Sequence, residues 1–97
     1  MFVDIGAPFC SMCHAIDNYM FKNELVRNAL KAVVAVKIDG SSSVNEELMQ
    51  HYNVIGFPTM LLINVKTGAV VKKWGPELYE YKPQEFVDEL KTIIAAF

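Results

Sequence analysis

The chain contains two cysteines, Cys10 and Cys13, and no others among its 97 residues. They follow a short apolar run and open a segment whose pattern predicts a helix. A strand leading into C-x-x-C at a helix start is typical of a dithiol/disulfide site, because that spacing keeps both sulfurs within bridging reach. The unpaired amides and the dipole at the helix end favour a thiolate there. We therefore expect the chemistry to be concentrated at this helix end.

Length and composition predict one packed globular domain over residues 1–97. The hydrophobic fraction is 53% and the charged fraction is 21%, which disfavours a disordered segment. The formal net charge is −2, and Lys, Asp and Glu are interleaved along the chain. Without a basic stripe, we expect no nucleic-acid partner.

The longest apolar stretches, such as residues 60–63, are too short to span a bilayer, so we expect no direct membrane insertion. No charged-then-apolar secretory signal precedes the cysteines. Because the apolar run begins at Met1, we interpret the chain as a trimmed domain, and the residues themselves do not indicate its compartment.

Hydrophobic periodicity and capping signals predict the elements that position the cysteines. The last two strands are joined by a hairpin at Gly68, and Pro83 begins the final helix. The predicted order is β-α-β-α-β-β-α, in which the first α consists of two helical stretches. The elements are strand 1–5, helix 10–20, a second helical stretch 24–31 capped by Asn23, buried strand 32–38, a short helix opened by a Ser43/Glu46 capping box, strands 59–65 and 69–74, and the last helix.

Strands separated by helices pair in parallel through right-handed crossovers, whereas the final hairpin adds antiparallel strands. We therefore predict an α/β fold with a four-stranded mixed sheet flanked by helices on both faces. The first strand should be central, and the crevice at its C-terminal end is where ligands bind in such sheets. Both cysteines follow directly after that end.

Three segments carry a resemblance to a known family: residues 3–13, which contain the cysteines, residues 52–59 around Pro58, and the Trp74-Gly75 pair. With them the chain resembles the thioredoxin-fold thiol:disulfide oxidoreductases over nearly its whole length. Residues 13–23 are most similar to thioredoxin-like domains of exported bacterial thiol:disulfide interchange proteins. The resemblance implies the minimal four-stranded fold, without the strand and helix that thioredoxins carry before the central strand. It favours the periplasm or another extracytoplasmic compartment, with the cytoplasm as the alternative.

The chain departs from the family pattern near the cysteines. The family's usual Trp before the first cysteine is Phe9, and its Gly-Pro pair is Ser11-Met12. A lysine that in thioredoxins points at the buried acid aligns with Ala35. Neither the redox potential nor the acid's pKa can therefore be transferred from thioredoxin.

The position of each cysteine assigns its expected role. Cys10, nearer the helix end and the solvent, is the candidate nucleophile that attacks a substrate disulfide. Cys13, one turn deeper, is the resolving thiol that closes a Cys10–Cys13 disulfide and releases the reduced substrate. Asp4 lies on a strand covered on both faces, so burial should raise its pKa and let it take the Cys13 proton through water. The alternative for Asp4 is a strand-end carboxylate that reaches water.

The resemblance implies a cis peptide bond before Pro58 beside the sulfurs, which would leave the Phe57 backbone free to pair with an extended substrate. Base rates for proline alone favour a trans bond. The predicted substrate-binding residues are aromatic or adjoin the proline, and packing in the core is the alternative, above all for Trp74. They are Phe9, Phe57, Pro58, Thr59 and Trp74.

We predict a thiol–disulfide oxidoreductase acting on protein disulfides as a reductant, recycled by an unidentified redox partner, monomeric, and without cofactor or metal. One alternative is a thioredoxin-fold binding module with incidental cysteines. Another is a c-type haem protein, since residues 10–14 also fit C-x-x-C-H, although small cytochromes are mostly helical. Zinc is disfavoured because His14 and the distant His51 do not complete a ligand spacing.

Overall fold

A computed structural model describes all 97 residues and contains one four-stranded mixed sheet in the order β2-β1-β3-β4. β1 pairs in parallel with β2 and antiparallel with β3, and β3 pairs antiparallel with β4. The predicted order of strands and helices is confirmed. The elements are β1 Phe2–Gly6, α1 Ser11–Ile16, α2 Glu24–Leu30, β2 Ala35–Asp39, α3 Glu46–His51, β3 Thr59–Ile63, β4 Val70–Trp74 and α4 Pro83–Ala95.

The two central strands carry apolar side chains on both faces because successive residues of a strand point to opposite sides. Phe2 of β1 belongs to the larger core cluster, which packs against α2 and α4, while Val3 and Ile5 belong to a smaller cluster under α3. All five residues of β3 are buried. β1 is therefore packed on both of its faces, and the cysteines follow its C-terminal end in the chain.

Local signals read from the sequence account for several element ends. The Asn23 side chain accepts a hydrogen bond from the Leu25 amide, as an N-cap residue does. Gly68 adopts a positive φ of 74° in the hairpin between β3 and β4. Pro83 is the first residue of α4. These predictions are confirmed.

Two local predictions are wrong. The strand predicted to be buried over 32–38 is β2, which begins at Ala35 and is largely exposed, because it is an edge strand that pairs only with β1. The Ser43/Glu46 capping box is absent: Ser43 begins a 3₁₀ turn over Ser43–Asn45, and no side chain caps either that turn or α3.

The helix after the cysteines changes character along its length. α1 ends at Ile16, and the chain continues as a π-helical turn over Asp17–Phe21, which together cover the helix predicted for 10–20. π-helical turns are uncommon and are frequent at functional sites. The longest helix, α4, has 13 residues, and no helix combines the length and apolar character needed to cross a membrane.

Candidate active site

Cys10 and Cys13 lie at the start of α1 and are joined by a disulfide, with their Cα atoms 5.3 Å apart. Cys10 is the N-cap residue in an extended conformation, and its sulfur accepts a hydrogen bond from the Cys13 amide over 3.1 Å. Cys10 is half-exposed, whereas Cys13 is 8% exposed. The more accessible sulfur is thus the one that the helix end can stabilise as an anion.

Asp4 lies in the middle of β1 and is half-buried. The pKa of its carboxyl is raised from 3.8 to about 6, chiefly by burial and then by the nearby Asp17 carboxylate, against the opposing effect of Lys37. Asp4 and Cys13 line the same cavity of about 500 Å³, together with His14, Asp17 and Lys37. Asp4 and Cys13 thus share one space that is large enough to hold water and has charged side chains in its lining.

A lysine does lie near Asp4, but it is Lys37, two residues after the position Ala35 that aligns with the family's lysine. Lys37 lies directly opposite Asp4 in the pairing of β1 and β2, and its ammonium donates to the Asp17 carboxylate. Accepting that hydrogen bond, Asp17 raises the pKa of Lys37. Sequence reasoning missed both Asp17 and Lys37. Position 17 lies one helical turn beyond Cys13, and that spacing was the available signal for Asp17.

The loop before Cys10 meets the loop before β3 through two aromatic rings. Phe9 and Phe57 lie edge to face with their centroids 6.4 Å apart. Phe9 is 76% exposed and Phe57 is half-buried, so the pair forms an apolar surface beside the sulfurs. The Phe57–Pro58 peptide bond is cis, as the resemblance implies. Pro58 itself is buried.

A groove of about 400 Å³ runs beside the Phe57–Pro58 segment and is lined by residues of this loop and of the chain following β4. Neither the N–H nor the C=O of Phe57 has a hydrogen-bond partner within the protein. Thr59, only 6% exposed, donates from its hydroxyl to the Gly56 carbonyl over 2.8 Å and thereby braces the loop. The groove therefore offers free main-chain groups on a supported backbone.

The Trp74 side chain is 1% exposed, which corrects the prediction that it contributes an exposed apolar contact for substrate. Its ring packs against Phe2 and Phe86, and its indole N–H donates to the Glu89 carboxylate over 2.6 Å. The packing alternative therefore describes Trp74. An apolar ring at the end of β4 fits the larger core because position 74 faces the same side of the sheet as Phe2.

The chain belongs to the thioredoxin family: the family model described as Thioredoxin matches residues 1–90. With the Cys10–Cys13 pair at its helix end, it is a thiol–disulfide oxidoreductase domain. The position of the cysteines fits this class, because they stand in the crevice at the C-terminal end of the central strand. The family also removes the haem alternative, because a four-stranded mixed sheet is not the mostly helical architecture of a small cytochrome.

Known proteins named for the same chemistry are similar to this chain. A thiol:disulfide interchange protein DsbD from Colwellia psychrerythraea is 32% identical over 94 residues, which is 94% of this chain and 15% of that protein. The DsbD of Actinobacillus pleuropneumoniae is 34% identical over 64 residues, 64% of this chain and 11% of that protein. The chain therefore spans between about a tenth and a sixth of the length of these relatives.

Solved structures agree on the fold. A thioredoxin from Thermus thermophilus superposes with a TM-score of 0.78 at 24% identity, covering 96% of this chain and 72% of that one. The DsbD C-terminal domain of Neisseria meningitidis in its oxidised form gives a TM-score of 0.76 at 17% identity, covering 95% and 78%. At these identities the likeness shows the thioredoxin fold alone.

Proposed function

We propose that this domain reduces disulfides in protein substrates and is itself re-reduced by a separate redox partner. The observation that carries the proposal is the asymmetry of the cysteine pair: a half-exposed Cys10 that accepts a hydrogen bond from the Cys13 amide, and a Cys13 that is 8% exposed. An accessible, stabilised sulfur suits attack on a large substrate, and a covered one suits an intramolecular reaction.

In the proposed cycle the Cys10 thiolate attacks one sulfur of a substrate disulfide, forming a mixed disulfide and releasing the other substrate sulfur as a thiolate. Cys13 then loses its proton and attacks Cys10, which closes the Cys10–Cys13 disulfide and releases the second substrate thiolate. Two electrons pass from the domain to the substrate. A dithiol of the redox partner must supply two electrons to reopen the Cys10–Cys13 bond.

Asp4 is proposed as the acceptor of the Cys13 proton, through water in the cavity that both residues line. Burial raises the pKa of Asp4 to about 6, so the carboxyl is mostly ionised at neutral pH yet basic enough to accept a proton. Asp17 and Lys37 at the same cavity set the charge that Asp4 experiences. Their proposed role is to position and tune the acid rather than to touch the reacting sulfurs.

Substrate recognition is proposed to be led by the main chain. The free N–H and C=O of Phe57 are suited to pairing with an extended segment around the substrate cysteine, as in strand addition at a sheet edge. Phe9 and Phe57 supply apolar contact beside it. Pro58 and Thr59 support this loop and are proposed to help shape the groove.

Similarity to thiol:disulfide interchange proteins further supports protein redox partners, and we propose an extracytoplasmic compartment, such as the bacterial periplasm, with the domain acting as a monomer. Disulfide exchange with protein substrates is concentrated in such compartments. The partner that recycles the domain is expected to present a dithiol to Cys10.

Reduction of insulin by the dithiol form, combined with equilibration against glutathione, tests the proposal. We expect the wild-type protein to reduce insulin and Cys10→Ser to have no activity above background. The equilibrium should give a potential closer to the reducing end of the family range, near −270 mV, than to the oxidising end, near −120 mV. A potential near the oxidising end, or insulin reduction that survives in Cys10→Ser, contradicts the proposal.

A further inference from the structure

His14 forms an unusual tie between α1 and the loop that precedes it. Its Nε2 lies 2.8 Å from the Pro8 carbonyl oxygen. A carbonyl oxygen can only accept, so this ring nitrogen carries the hydrogen and donates it. The His14 backbone N–H also donates, to the Cys10 carbonyl over 3.3 Å. His14 is thus bonded to the chain on both sides of Phe9.

The loop that His14 holds has few other restraints. A hydrogen bond from the Cys10 amide to the Ala7 carbonyl, at 3.0 Å, closes the turn over residues 7–10. The His14 bond is the only one that the Pro8 carbonyl receives, and neither backbone group of Phe9 has a partner. Pro8 and Phe9 are both exposed, so packing from the core does not fix them.

We propose that His14 is a positioning residue for Cys10, acting through its hydrogen bond to the Pro8 carbonyl. This inference rests on the proposed function, because it concerns how the same cysteine pair closes. While the Cys10–Cys13 bond exists, it restrains Cys10 directly. Once that bond is open, the hydrogen bonds of His14 and of the 7–10 turn remain to hold the nucleophile's backbone near Cys13.

The restraint should matter most in the intramolecular step. Closure requires the Cys13 sulfur to meet the Cys10 sulfur in line with the bond being broken, and its rate depends on how often that geometry is populated. Loss of one hydrogen bond that restricts the loop lowers this population. A typical hydrogen bond contributes enough to change an equilibrium by up to about tenfold, so we expect an effect of that size.

The test uses glutathione disulfide as the probe, so that no protein substrate is needed. The reduced domain attacks glutathione disulfide through Cys10, releasing one glutathione. Cys13 then displaces the second glutathione and closes the Cys10–Cys13 disulfide. Acid quenching and mass spectrometry follow the decay of the mixed disulfide, and this decay rate is the closure rate. A Cys13→Ser variant marks the signal of a mixed disulfide that cannot close.

Three variants are compared with the wild type. His14→Ala removes the donor, and His14→Gln keeps a donor at a similar distance from the backbone. Asn45→Ala is a matched control, because Asn45 also donates from its side chain to a carbonyl six residues earlier, that of Asp39, over 2.9 Å. We expect closure to slow about tenfold in His14→Ala, to stay within about threefold of wild type in His14→Gln, and to be unchanged in Asn45→Ala.

Closure at the wild-type rate in His14→Ala overturns the inference, and so does a His14→Gln variant as slow as His14→Ala. Either result leaves insulin reduction by the wild type untouched, so the proposed function would stand. Conversely, the proposed function is contradicted if the wild type closes its Cys10–Cys13 disulfide after reaction with glutathione disulfide but fails to reduce insulin. In that case the closure rates of the variants still decide the role of His14.

Discussion

Lys37 lies directly opposite Asp4 in the pairing of β1 and β2, yet its ammonium donates to Asp17 instead. The side chain of Lys37 is exposed, whereas that of Asp17 is largely covered. Asp4 is therefore left half-buried with a second carboxylate close by and a cation that is shared. This arrangement explains why its pKa is raised although a lysine faces it.

The first prediction concerns the opposite effects of Asp17 and Lys37 on Asp4. Asp17→Asn removes a negative charge and a hydrogen-bond partner and frees Lys37, so the pKa of Asp4 should fall below about 6. Lys37→Met removes the cation that lowers this pKa, so the value should rise above about 6. Carboxyl chemical shifts of Asp4 followed by NMR against pH measure both. Shifts of the same sign in the two variants contradict this account of the cavity.

The second prediction concerns the pH dependence of stability. Because of Asp4, the folded protein should become less stable as pH rises. Its pKa is 3.8 in the unfolded chain and about 6 in the folded state, so between these values the folded state binds more protons. The free energy of unfolding therefore falls as pH rises through this window, by about 3 kcal/mol at most, from about 1.4 kcal/mol per pKa unit.

Asp4→Asn should remove this pH dependence and stabilise the folded protein at pH 7 by about 1–3 kcal/mol. Urea unfolding at pH 4 and pH 7 measures the effect, and the difference between variant and wild type cancels the other titrating groups. The same substitution should slow closure of the mixed disulfide above pH 6, where the wild-type carboxylate accepts the proton. A variant less stable than the wild type at pH 7 argues against the burial of an ionised Asp4.

The third prediction separates apolar contact from exchange chemistry. Phe9 is 76% exposed and touches Phe57, so Phe9→Ala should change the free energy of unfolding by no more than about 0.5 kcal/mol. The KM of the Phe9→Ala variant for a protein substrate should rise about five- to tenfold, because apolar area beside the sulfurs is lost. The rate with glutathione disulfide should stay within about twofold. Val44→Ala, at an 85% exposed residue of the 3₁₀ turn before α3, is the control.

If Phe9→Ala slows glutathione and protein substrates equally, the ring acts on the cysteine geometry and not on substrate contact. Val44→Ala should leave both activities unchanged. An effect of Val44→Ala as large as that of Phe9→Ala would indicate a general loss of structure.

The sequence predicts the element order and the cysteine site well because both depend on local signals. The signals at Asn23, Gly68 and Pro83 depend only on the conformation of the few residues around each of them. The C-x-x-C spacing likewise places both cysteines within one helical turn. β2 was wrongly predicted to be buried, because a run of apolar, β-branched residues has the same sequence pattern in a central strand as in an edge strand.

Relationships that depend on the tertiary structure could not be read in the same way. The Asp4–Lys37 pairing requires the register of two parallel strands, which hydrophobic pattern alone does not fix to one residue. The burial of Trp74 depends on α4, which packs on the same face of the sheet and supplies Phe86 and Glu89. An aromatic residue near a redox site reads equally as contact surface or as core, and only the packing separates the two.

Trapping of mixed disulfides tests the central claim, that Cys10 attacks and Cys13 resolves. Reduced Cys13→Ser and reduced Cys10→Ser are each mixed with a disulfide-containing protein, quenched with acid and separated without reductant. We predict a stable covalent complex through Cys10 in Cys13→Ser and none in Cys10→Ser. A complex that accumulates in Cys10→Ser instead, or in neither variant, contradicts the account.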